Sequence, residues 1–179
     1  MNAGLAASLR AASVDDIPAI AAIYADHVRV GTGSFELEPP DEPEMHRRWG
    51  EIVACGLPYL VAVRNDAIVG YAYAGAYRPR PAYRFTVEDS IYVRADYAGQ
   101  GIGRTLLEAL IAACERAGAR QMIAVIGDVA NVGSIRLHAT AGFSHAGLLT
   151  SVGWKLGRWL DVVLMQRALG SGNAPVAQG

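Results

Sequence analysis

Cysteine and net charge are both scarce in this 179-residue chain. The two cysteines, Cys55 and Cys114, stand singly in helical contexts without metal-ligand spacing. They read as free, buried thiols of a reducing compartment, not as a disulfide framework. Sixteen basic residues against seventeen acidic ones leave a formal net charge of −1, so no overall basic field speaks for a nucleic-acid partner. The chain is 52% hydrophobic, yet no apolar run is long enough to span a bilayer. Its four histidines, His27, His46, His138 and His145, are scattered, and no metal site is expected. Met1 to Ala12 carries Arg10 and small residues but no continuous apolar stretch of the export-signal kind, which makes the cytoplasm the expected location. No internal repeat or interdomain linker is visible. The expectation is one domain over residues 9–169, with residues 1–8 and 170–179 as flexible ends.

What the chain does have is glycine in an informative place. The β-branched and aromatic run Ile91-Tyr92-Val93 leads into Gly99-Gln100-Gly101-Ile102-Gly103-Arg104-Thr105 and then directly into an amphipathic helix. Glycines at a helix N-terminus let the backbone turn sharply and approach a ligand, with free N–H groups and the positive end of the helix dipole facing outward. Such a terminus is an anion site, usually for phosphate. The spacing excludes two familiar loops. A dinucleotide G-x-G-x-x-G would need glycine where Arg104 stands, and a phosphate loop of the G-K-S/T type fails at Arg104-Thr105.

Periodicity places the remaining elements. Leu9 to Ala12 reads as a short strand, and Ser13 to Asp16 supply N-cap chemistry for a helix carrying Ile17, Ile20, Ile23 and Tyr24. A second helix covers about 44–55. Strands follow at 59–64 and 68–77, joined through Arg64-Asn65-Asp66, and another at 86–93. After the glycine loop, Leu106, Leu107, Leu110, Ile111 and Cys114 recur at helical spacing until Gly118. A strand at 122–126, a short helix at 131–141 and strands at 143–149 and 160–166 complete a mixed α/β fold with a mostly antiparallel sheet.

The G-x-G-x-G-R loop after a strand resembles the pyrophosphate loop of the GNAT superfamily of acetyl-CoA-dependent N-acyltransferases. That family opens the loop with Arg or Gln where this chain has Ala98, but its contacts there are largely backbone amides. Three further segments narrow the resemblance to the phosphinothricin and methionine sulfone (sulfoximine) N-acetyltransferases. They are Thr86-Val87-Glu88-Asp89-Ser90-Ile91-Tyr92-Val93, then Asn131-x-x-Ser134-x-x-Leu137-His138 with Gly142-Phe143, and Gly153-Trp154-Lys155-Leu156-Gly157-Arg158-Trp159-Leu160-Asp161. The four motifs fall in the family's order between Leu9 and Leu169.

The resemblance implies a sheet splayed between its fourth and fifth strands, with acetyl-CoA in the gap. It implies that Glu88 acts as general base toward an amine, through a water, although a carboxylate within a strand is more commonly a surface or ion-paired residue. The backbone of Ile91, Tyr92 and Val93 would bind the pantetheine and stabilise the oxyanion. The amides of Gly99, Gln100, Gly101, Ile102, Gly103 and Arg104, with Thr105 nearby, would hold the pyrophosphate. Arg104 either pairs with phosphate or is a solvated helix residue. Asn131 and Ser134 touch the cofactor, cap their helix, or both. His138 stands about where many GNAT enzymes carry a tyrosine general acid; a packed, structural histidine is the preferred reading.

For the acceptor, Arg78, Arg80, Tyr83 and Arg84 crowd the loop before the Glu88 strand, and arginine forks suit a carboxylate. The alternative is a solvated basic turn. The resemblance adds Phe35, Asp89 and Ser90 to the expected acceptor pocket. Trp154, Lys155 and Trp159 form a far wall, a homodimer interface or plain core. The expected activity is acetylation of the α-amine of a small amino acid or analogue. The competing readings are an acetyltransferase for a polyamine, drug or protein N-terminus, and a non-catalytic acyl-CoA sensor.

Overall fold

A computed structural model describes residues 7–175. Its strands are β1 (Ser8–Ala11), β2 (Tyr59–Arg64), β3 (Ala67–Ala76), β4 (Thr86–Val93), β5 (Gln121–Gly127), β6 (Ser144–Lys155) and β7 (Arg158–Ala168). The helices are α1 (Ile17–Val30), α2 (Glu42–Ala54), α3 (Ile102–Arg116) and α4 (Val132–Thr140). One seven-stranded sheet has the order β1-β2-β3-β4-β5-β7-β6. Every neighbouring pair is antiparallel except β4 and β5, which α3 connects as a parallel crossover.

Local chemistry accounts for the turns. Asn65 and Asp66, at φ 51° and 59°, make the two-residue hairpin between β2 and β3, and Leu156 and Gly157, at 52° and 73°, do the same between β6 and β7. At the entry to α1, Arg10 holds the buried Asp16 carboxylate through two bonds of 2.6 and 2.7 Å. That bond, more than the opposing burial, lowers the Asp16 pKa to about 2. Asp41 caps α2 by accepting the Glu44 amide at 2.9 Å.

Each face of the sheet carries its own core. On one, α3 inserts Leu106, Leu107, Leu110 and Cys114 against Val69, Val87 and Met122. On the other, α1 lays Ile17, Ile20, Ile23 and Tyr24 over Tyr59, Val61 and Tyr71. Alternation along β4 follows from this division: Val87, Asp89, Ile91 and Val93 belong to the α3 side, while Tyr92 belongs to the tyrosine-rich α1 side.

The structure corrects several expectations. Cys55, at the end of α2, is exposed; only Cys114 is buried. β6 runs on to Lys155, well beyond the expected end at 149, because its outer half pairs Gly153, Trp154 and Lys155 with β7. Trp154 and Trp159 are therefore cross-strand neighbours on the surface, 57% and 59% exposed, and not core. The first strand starts at Ser8, inside the segment expected to be a loose end. Arg120 donates to the carbonyls of Gly172 and Ala174, so the tail is folded back at least that far. Residues 1–6 and 176–179 lie outside the described residues. No helix among the described residues is long and apolar enough to cross a membrane.

Candidate active site

The site begins where two strands part. Pairing between β4 and β5 ends at Asp89–Ala124. Beyond it β4 stays with β3 as far as Val93, and β5 stays with β7 as far as Gly127. The strands thus open like a V. Antiparallel ladders bond every second residue to a given neighbour. The Arg94 amide donates to the Val69 carbonyl, which phases the β3–β4 ladder so that Ile91 and Val93 turn their peptide groups away from β3, into the gap. The Asp128 amide donates to the Asp161 carbonyl, which turns Val125 and Gly127 into the gap from the other arm. Tyr92 is the exception among the three expected backbone contacts, since its peptide group is spent on β3 and only its side chain faces the site.

His27, on α1, reaches the Val93 carbonyl with Nε2 at 2.9 Å, and because a carbonyl only accepts, Nε2 is the protonated nitrogen. The gap continues past Val93 to the glycine loop. Gly99 and Gly101 sit at φ 73° and 84°, the left-handed region that favours glycine. Gly101 is the N-cap of α3 and makes no side-chain cap, so the amides of residues 99–104 donate to no acceptor among the described residues. Consecutive free amides at a helix N-terminus are the geometry that holds a diphosphate.

The resulting cleft has a volume of about 920 Å³. Of the residues singled out from sequence, Phe35, Glu88, Asp89, Ser90, Ile91, Tyr92, Val93, Gly99, Gly101, Ile102, Gly103, Arg104, Asn131, Ser134 and His138 line it. Glu88 is half-buried, and burial, reinforced by the neighbouring Asp89 and opposed by Arg78, raises its pKa above the usual carboxylate value. Asp89 points to the opposite face. Its Oδ2 lies 2.9 Å from His138 Nε2, and both side chains are buried. An acceptor pocket beside Glu88 therefore does not include the Asp89 carboxylate.

His138 Nδ1 lies 2.8 Å from the Ser134 carbonyl, so acceptors face the ring on both sides. Burial works against its charge, but the Asp89 hydrogen bond and charge outweigh it and raise the histidine pKa. Asn131 caps α4 by accepting the Ser134 amide at 3.2 Å, and it also lines the cleft.

Other side chains turn elsewhere. Gln100 donates to the Asp96 carbonyl and accepts from Arg64; Thr105 donates back to the Gly101 carbonyl. Arg104 pairs with Glu108 at 2.7 Å along its own helix. Arg78, Arg80, Tyr83 and Arg84 are exposed on the β3–β4 loop and do not line the cleft. Arg78 stacks over Tyr77 and Arg84 over Phe85. Of this group, Arg78 alone bears on the Glu88 charge.

Sequence reasoning missed His27, Thr32 and Gly33 as cleft residues. His27 lies on α1 among apolar residues, and Thr32 and Gly33 belong to a loop without a motif of its own. Nothing local reveals that the α1–α2 connection crosses the cleft.

Residues 20–143 match the acetyltransferase (GNAT) family. The chain is 56% identical over 173 residues to a phosphinothricin N-acetyltransferase of Alcaligenes faecalis, covering 97% of this chain and 88% of that one. It is 41% identical over 165 residues to an L-methionine sulfoximine/L-methionine sulfone acetyltransferase of Pseudomonas paraeruginosa, covering 90% and 94%. A phosphinothricin acetyltransferase from Sinorhizobium meliloti, solved in complex with acetyl-CoA, superposes with a TM-score of 0.94 at 46% identity and covers 97% and 94% of the two chains. The chain belongs to the GNAT family of acetyltransferases, closely related to the phosphinothricin and methionine sulfoximine acetyltransferases.

Proposed function

We propose that this protein transfers the acetyl group of acetyl-CoA to the α-amine of a small amino-acid-like acceptor, with Glu88 as the base. One observation carries the reading: the opened edge of β4 leads, through one short turn at Ala95–Tyr97, to the free amides of residues 99–104, and Glu88 lies on that same strand. Coenzyme A suits this track. Its pantetheine arm has amides that match the peptide groups of Ile91 and Val93, and its diphosphate matches the glycine loop. Bound there, the cofactor supplies an acetyl group already activated as a thioester.

The chain's own residues do the rest. A free amine is mostly protonated near neutral pH and must lose a proton before it can attack. A carboxylate whose pKa is raised by burial accepts that proton closer to neutrality than an exposed one. Acceptors on both sides of His138 favour a proton on each nitrogen and raise its pKa against the effect of burial. Its role in this reading is to hold the vertex of the cleft together with Asp89, not to serve as a mobile proton donor. Arg78, which bears on Glu88 electrostatically although it lies outside the cleft lining, is the arginine we assign to an acceptor carboxylate.

Phosphinothricin, methionine sulfone and methionine sulfoximine are the acceptors to try first, after the names of the relatives. The exposed Trp154, Trp159, Leu148 and Val152 on the edge hairpin form an apolar surface that a second copy of the chain would cover as a homodimer. A cytoplasmic site of action fits two unbridged cysteines. The test is thiol release from acetyl-CoA against a panel of amino acids, the three named acceptors and spermidine. Saturable turnover with a carboxylated amine supports the reading; turnover with spermidine alone overturns the acceptor class.

A further inference from the structure

Lys155 is the only lysine among the sixteen basic residues, and it is buried, with 4% of its surface exposed. Burying an ammonium is unfavourable unless it is well partnered. This one donates to the Ser34 carbonyl at 2.6 Å, joining the end of β6 to the connection between α1 and α2. That connection is held from two other directions. The Ser34 hydroxyl donates to the Tyr24 oxygen at 2.8 Å, and the Tyr24 hydroxyl donates to Glu36 at 2.8 Å. Arg48, from α2, donates to the same carboxylate at 2.6 Å.

With Ser34 and Glu36 tied to the helices, Phe35 between them turns to the opposite side. Its ring fills a slot that two glycines leave open. A Cβ at Gly127 would come within 2.9 Å of the ring and one at Gly153 within 2.2 Å. Neither glycine has a positive φ, so space and not backbone conformation calls for glycine there. Phe35 also lines the cleft that holds Glu88. The segment thus runs from the β4 side of the V to the β5–β6 side, like a strap.

We propose that Lys155 is a positioning residue for acceptor binding: by gripping Ser34 it fixes the strap across the cleft, so that Phe35, seated against Gly127 and Gly153, becomes a wall that limits which acceptors reach Glu88. The acceptor half of this inference rests on the acetyl-transfer reading; the strap itself does not.

The experiment compares wild type with Lys155→Met and Gly153→Ala. Hydrogen exchange of the amides at residues 31–36 should quicken about tenfold in both variants while exchange in the β3–β4 ladder is unchanged. A single lysine offers a second readout. In Gly153→Ala, whose new methyl displaces Phe35, Lys155 should become several-fold more reactive toward an amine-acylating reagent, read by mass spectrometry. In steady-state assays the acceptor KM should rise about tenfold in Lys155→Met, with kcat and the acetyl-CoA KM moving less than about twofold.

Unchanged exchange and unchanged lysine reactivity would overturn the strap. Faster exchange with both KM values rising together would overturn its role in acceptor selection. A wild type inactive on every acceptor would count against acetyl transfer, while exchange and labelling still decide the strap. If Lys155→Met fails to fold, Gly153→Ala carries both tests.

Discussion

Asp89 and His138 meet at 2.9 Å at the point where β4 and β5 separate, back to back with Glu88 on the same strand. Asp89 spends one oxygen on the histidine, and its other oxygen, Oδ1, is buried without a partner among the described residues. The carboxylate that lines the cleft with a raised pKa and the one that holds the buried histidine are thus sequence neighbours on opposite faces of one strand. Alternation keeps their roles apart.

This pair should show itself in the pH dependence of stability. The His138 pKa is raised in the folded state, so the stabilisation it brings is complete below the unfolded histidine value, about 6.5, and is lost as pH rises through the folded value. Asp89→Asn should therefore cost about 3 kcal/mol in urea unfolding at pH 6 and clearly less at pH 9. An equal cost at both pH values would mean that His138 is neutral in the native protein.

The glycine loop offers a test of cofactor binding apart from chemistry. Gly101 sits at φ 84°, with open space around the position of a Cβ. Gly101→Ala meets no steric neighbour, so its effect should come from backbone strain alone, about 1 kcal/mol of stability. The amides that follow would be re-aimed, and the acetyl-CoA KM should rise about tenfold while the acceptor KM stays within about twofold. Steady-state kinetics with each substrate varied in turn reads the difference.

Much of this was legible in the sequence, and the reasons are local. Strands β2 and β4 fall on the expected residues because alternation and turn chemistry are encoded within a few positions. The glycine loop is legible for the same reason. The two arms of the cleft were implied only by family resemblance, since no local pattern says where β4 and β5 stop pairing. The bond from Lys155 to Ser34 has no signal in the sequence, because it joins positions 121 residues apart. The β3–β4 arginines cluster in sequence, but sequence alone does not show that the loop carrying them is exposed and lies outside the cleft lining.

Arg78 remains the member of that cluster with an effect on the site. Its charge opposes the rise in the Glu88 pKa. Removing it by Arg78→Gln should move the acidic limb of the kcat/KM profile to higher pH and raise the KM of a carboxylated acceptor about tenfold. Loss of affinity without a shifted limb would separate substrate binding from the electrostatic effect.

Trp154 and Trp159 face each other across β6 and β7 with ring centroids 5.3 Å apart, both exposed. If a second copy covers them, wild type should sediment as a dimer, and Trp154→Lys as a monomer with melting behaviour that no longer depends on concentration. A monomeric wild type at micromolar concentration would contradict the homodimer.

The most direct measurement is the pH profile of Glu88→Gln beside wild type, with acetyl-CoA affinity determined on both by calorimetry. If Glu88 removes the amine proton, the variant binds acetyl-CoA within about twofold of wild type, loses at least about a hundredfold in kcat, and recovers part of that loss as pH rises and the free amine forms without help. A variant that turns over like wild type across the whole pH range would contradict the assignment of Glu88 and the mechanism built on it.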